Sequence, residues 1–208
     1  MSESHFRSFE ETGLPPFCQK AYLLARDAHQ IRLEQSTHSL SPYVYHPVAL
    51  AEAALRAKLS MNAVKAALVH DLQDWTPVNL DALYAALDGE VHDLVYDLSS
   101  PLPVANWPAD QWIAAYTEHL LKGCEEAQML KVIDLTQTAL ALGSTQAQAC
   151  VEFVQTHRPL LDALLQAHTN DARWSGLALR ADCAFKWGER RAYEEHIANF
   201  KNTSEVMA

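Results

Sequence analysis

Glycine and proline are scarce in this chain, with six and nine among 208 residues. That excludes collagen-like, low-complexity and long-linker architectures. Cysteine is scarcer still. The four residues Cys18, Cys124, Cys150 and Cys183 form no CxxC pair, so zinc-ribbon spacing is absent and free buried thiols are expected. Positive charge is also short. Lys plus Arg number 16 against 26 Asp plus Glu, a formal net charge of −10. Such a chain repels phosphate backbones at long range, so a broad nucleic-acid-binding surface is not expected. No apolar run approaches the roughly 18 residues of a membrane span, and the polar start Met1-Ser2-Glu3-Ser4-His5 offers no signal region. The expectation is a cytoplasmic protein without a membrane partner. There is no Gly-rich phosphate loop, Ser nucleophile elbow or HExxH string.

What is present is helix. Hydrophobic residues make up 49% and charged residues 20%, ordinary for a globular chain that buries a sizeable core. Ala and Leu recur at three- and four-residue spacing, and no alternating strand pattern competes. An all-α fold is expected. A first helix is predicted over 17–34, with Cys18, Tyr22, Ala25 and His29 along one stripe. Pro47 should open a helix to about Leu59, and Ser60 should cap one over 61–72. Further helices are expected at 80–87, 90–98, 109–122 and 125–142. Pro159 should break or kink the stretch 146–167, and Gly188 should interrupt a tail helix over 172–200.

Ten histidines in an acidic helical chain invite a search for metal ligands. The dipeptide His-Asp occurs twice, where composition alone supplies about 0.6 copies. His92-Asp93 lies in a short amphipathic helix and reads as a solvated face. His70-Asp71 ends an apolar helix, where carboxylates oppose the helix dipole and call for a compensating cation. His46 precedes the helix that leads into that one. Two helices joined by a tight turn run antiparallel, about 20 Å out and about 17 Å back, so His46, His70 and Asp71 can converge. Asp134, a carboxylate in the apolar stretch Met129 to Leu135, is the candidate fourth ligand; a salt bridge to Lys131 is the alternative. Two imidazoles and two carboxylates with room for water suit Mn, Fe, Zn or Mg.

Three strings in this order resemble the HD-domain hydrolases of the RelA/SpoT type, and in size the stand-alone small alarmone hydrolases. They are Ser41-Pro42-Tyr43-Val44-Tyr45-His46-Pro47, Ala66-Ala67-Leu68-Val69-His70-Asp71-Leu72-Gln73-Asp74-Trp75-Thr76, and Leu130-Lys131-Val132-Ile133-Asp134. Ala28-His29-Gln30-Ile31-Arg32 resembles the end of the family's first helix. The resemblance implies an HD helical bundle with one Mn²⁺ on His46, His70, Asp71 and Asp134. It implies removal of the 3′-pyrophosphate from guanosine tetra- or pentaphosphate, with Asp74 acting on the attacking water. Substrate contact then falls to Arg32, Tyr43, Trp75, Lys131 and Thr138. The family's Glu-Asp pair reads Asp74-Trp75 here, and its asparagine after the metal Asp reads Thr138. Trp75 either stacks a base or packs. These substitutions leave a second reading open, a nucleotide-binding regulatory protein on the same scaffold. The domain expectation is a polar lead-in over 1–16, a hydrolase core over 17–145, and helices of 146–208 packing on the same domain. For the tail, with Trp174, Phe185 and Trp187, core packing or capping of the HD helices is the expectation, and a homodimer contact is the alternative.

Overall fold

The computed structural model of the chain describes residues 8–35, 45–72, 85–101 and 107–206. Every regular element among them is helical, as the spacing of Ala and Leu predicts, and none is a strand. Chain contacts define two compact units. The first comprises 1–101 with 119–131, the second 102–118 with 132–208.

In the first unit a short helix, α1 (Phe9–Thr12), leads through a 3-10 turn (Pro16–Cys18) into α2 (Gln19–Gln35). Within the lead-in, the Ser8 amide donates to the Glu11 carboxylate at 2.7 Å, and Leu14 is buried. The stripe Cys18, Tyr22, Ala25 and His29 is buried, as predicted from its spacing. α3 (Tyr45–Arg56) begins two residues before Pro47, which still lies in the first turn, where its missing amide is tolerated. α4 (Met61–Val69) is buried almost all round, through Ala63, Val64, Ala66, Ala67, Leu68 and Val69. It packs against α2, α3 and α5 (Gly89–Leu98). Burying each Val or Leu there is worth about 1.5–3 kcal/mol, which makes α4 the pillar of the unit.

The turn between α3 and α4 fixes their antiparallel course. Leu59 donates its amide to the Ala54 carbonyl at 3.1 Å, and Lys58 donates to that of Leu55 at 3.0 Å. This pair of bonds needs a left-handed residue, and Lys58 takes that role at φ 60°. A side chain in that conformation costs about 1 kcal/mol. Lys58→Gly is therefore expected to raise the melting temperature by about 2–4 °C. An unchanged or lower melting temperature would show that Lys58 carries no strain.

Two further helices, α6 (Ala109–Lys122) and α7 (Glu125–Thr145), each have residues in both units. The start of α7 is tied to the start of α4. Ser60 caps α4 by accepting from the Ala63 amide at 3.1 Å. It also donates to Glu126, from its amide at 2.7 Å and from its hydroxyl at 2.6 Å. The Glu126 carboxylate thus sits at the positive end of α4, where negative charge is stabilising.

In the second unit, α8 (Ala147–Ala167) packs on α9 (Ala172–Val206). Neither helix is broken where the sequence marks an interruption. Pro159 lies inside a continuous α8. Proline's fixed φ is helical, and the cost is one hydrogen bond to the carbonyl four residues back. Cys150, Val154, Leu161 and Leu164 form one buried stripe spanning the proline, so packing on both sides holds the helix together. Gly188 likewise leaves α9 uninterrupted. Its missing Cβ is where the Cys150 sulfur sits, so the glycine serves close helix approach and not chain reversal. α7 also runs past Gly143, whose face is covered by the Trp187 ring. Trp174 and Phe185 are fully buried, as core packing of the tail requires.

Candidate metal centre

The antiparallel pair α3–α4 carries His46, in the first turn of α3, to the end of α4, where His70 follows Val69. The two rings meet edge to face with centroids 5.4 Å apart. His70 Nδ1 lies 2.9 Å from the Ala67 carbonyl. A carbonyl only accepts, so Nδ1 carries the proton and the lone pair lies on Nε2. This is the tautomer that a metal ligand of this type requires.

Asp134 arrives along α7. From Ser60 to His70, α4 rises about 15 Å, and from Glu126 to Asp134, α7 rises about 12 Å. The Ser60–Glu126 bonds tie the start of α7 to the start of α4. One potential ligand atom from each of His46, His70 and Asp134 lies within 4.8 Å of the others. Asp134 is buried, as is Lys131 one turn earlier. Thr138 donates to Asp134 Oδ1 over a long 3.5 Å.

Asp71 stands next to this group without being a member of it. Both of its carboxylate oxygens are buried and make no hydrogen bond among the described residues. His29 Nε2 lies 3.3 Å from Oδ1, an ion-pair distance without hydrogen-bond alignment. Burial pushes the Asp71 carboxyl up, but His70, His29 and His46 together outweigh it and hold the group below the usual carboxylate range. A buried charge in that state needs compensation. The structure thus fits a divalent cation on two grounds: a convergent His46–His70–Asp134 donor set, and a buried carboxylate beside it that lacks hydrogen bonds. Nitrogen and oxygen donors in this proportion are compatible with Mn, Fe, Zn or Mg.

Of the other candidate residues, Arg32 lies on α2, three residues past His29. Tyr43, Asp74 and Trp75, and most of the predicted helix 80–87, lie outside the described residues. His92 and Asp93 form an exposed pair 3.2 Å apart, in agreement with a solvated face. His29 is the residue that the sequence alone does not assign to the site. Its position on an apolar stripe is visible there, but its partner lies 42 residues away on another helix.

The chain is similar in part to known proteins. A stretch of 81 residues is 37% identical to the bifunctional (p)ppGpp synthase/hydrolase SpoT of Escherichia coli. The guanosine-3′,5′-bis(diphosphate) 3′-pyrophosphohydrolase of Shigella flexneri matches equally, and that of Vibrio cholerae is 35% identical over 81 residues. Each match covers 39% of this chain and 11% of the relative. The chain thus matches about a ninth of the length of these curated relatives. No family model matches it. Over that stretch the likeness supports a relationship to the RelA/SpoT HD-type hydrolases, and the all-α architecture is consistent with an HD bundle.

Proposed function

We propose that the chain is a metal-dependent phosphohydrolase that removes the 3′-pyrophosphate from guanosine tetra- or pentaphosphate, with 17–145 as its hydrolase core. The observation that carries this reading is the convergence of His46, His70 and Asp134 from three separate segments. The named activity of the relatives supplies the substrate class. In this proposal His46, His70, Asp71 and Asp134 hold one Mn²⁺. A cation so held supplies Lewis-acid charge to a phosphoryl oxygen and acidifies a water.

The chain's own residues do the rest. Asp74 orients the attacking water and accepts its proton. Water adds to the phosphorus, the bond from phosphorus to the ribose 3′-oxygen breaks, and that oxygen leaves with a proton. Arg32 and Lys131 offset phosphate charge, which the cation-free stretch 66–121 does not supply. Tyr43, Trp75 and Thr138 contact the nucleotide, with Trp75 offering a ring face for stacking.

The test is product analysis after mixing Mn²⁺-loaded protein with guanosine tetraphosphate, beside a panel of nucleotides that includes NADPH. GDP and pyrophosphate are the expected products. Phosphate released only from another nucleotide would move the substrate and keep the chemistry. Trp75 and Thr138, where the resembled family has polar functional groups, favour one second reading: a nucleotide-binding regulator on the same scaffold. Nucleotide binding without any product would establish it in place of the hydrolase.

A further inference from the structure

We infer that His29 is a positioning residue for the metal centre: it holds Asp71 Oδ1 from behind and so aims the other carboxylate oxygen at the cation. This rests on the metal reading above and extends it to a residue outside the ligand set. The argument begins with burial. His29 and Asp71 are both buried, with side chains 3% and 4% exposed, and their nearest atoms are 3.3 Å apart. Among the described residues no Lys or Arg side chain forms an ion pair with Asp71, and its oxygens make no hydrogen bond.

A carboxylate on a short side chain just past a helix end has rotational freedom that a coordination site cannot tolerate. Something must fix it. A ligating carboxylate is ordinarily fixed by a partner on its non-ligating oxygen, and losing such a partner costs 10–100-fold in metal affinity. His29 is placed for this role by geometry alone. It lies on α2, which packs on α4, at the buried end of the stripe Cys18, Tyr22, Ala25 and His29. An apolar residue would have filled that stripe equally well. Imidazole adds a ring nitrogen within reach of Asp71 that can carry a proton. Aligning that N–H with Oδ1 would convert the 3.3 Å ion-pair contact into a hydrogen bond.

Calorimetric titration of the full chain with Mn²⁺ alone tests the assignment. Wild type is compared with His29→Gln, whose amide keeps a donor, and with His29→Leu, which keeps only bulk. The expected result is an affinity within a few-fold of wild type for Gln and a 10–100-fold loss for Leu. A residue serving only the core would show no rescue by Gln. Equal Mn²⁺ affinity in all three proteins overturns the role of His29 while leaving the metal centre standing. Absence of Mn²⁺ binding in wild type overturns the metal centre itself, so the two failures are distinct. A second measurement needs no variant and covers a Leu protein that fails to fold. Imidazole ¹⁵N spectra of wild type with Zn²⁺ should show His29 Nε2 still protonated while its shift changes. A His29 signal that does not respond to Zn²⁺ contradicts the inference.

Discussion

Replacing Asp71 with alanine is expected to abolish hydrolysis and to weaken Mn²⁺ binding by more than about a hundredfold. The bound rests on comparison: losing an outer partner of a ligand costs 10–100-fold, and Asp71 is proposed as a ligand itself. The same change removes a buried charge, which separates it from an ordinary active-site knockout. Without metal, Asp71 is a buried carboxylate that makes no hydrogen bond among the described residues. Three neighbouring histidines favour that charge, so its removal should leave the metal-free protein somewhat less stable than wild type near neutral pH. Turnover that survives Asp71→Ala would remove the residue from the mechanism.

The second large effect is on stability. A cation that binds only the folded chain adds about 2.7 kcal/mol at a hundred times its dissociation constant. For a chain of this size that corresponds to a rise in melting temperature of about 5–11 °C. Mn²⁺ is expected to produce this rise and a chelator to reverse it. Asp134→Asn and His46→Asn should each suppress most of the shift, because each removes a member of the convergent group. A melting temperature indifferent to Mn²⁺, Zn²⁺, Fe²⁺ and Mg²⁺ would leave His46, His70 and Asp134 as a packing cluster and nothing more.

Much of this arrangement is legible in the residues themselves, because helical spacing and caps are local signals. The Ala and Leu pattern, the Ser60 cap and the position of Pro47 are enough to predict an antiparallel pair that unites His46 with His70. Local signals mislead where tertiary packing overrides them. Pro159 and Gly188 each read as a breaker, yet a buried stripe carries α8 through the first, and the Cys150 sulfur occupies the space beside the second. The same limit applies to His29. On its own helix it is one more residue of an apolar stripe, and its approach to Asp71 appears only in the folded chain. Asp134 stands out in the sequence because a carboxylate in an apolar run is costly to bury without a partner. A histidine in such a run is far less conspicuous, since neutral imidazole packs into cores more readily.

The bonds from Ser60 to Glu126 fix the start of α7. Eight residues then separate Glu126 from Asp134 along one uninterrupted helix. The interval works as a ruler, and its length matters as much as the identities along it. Deleting one residue between them would swing Asp134 through about 100° around the helix axis and lower it by about 1.5 Å, with every site side chain unchanged. The centre is therefore vulnerable to a change of count at positions that touch none of its atoms.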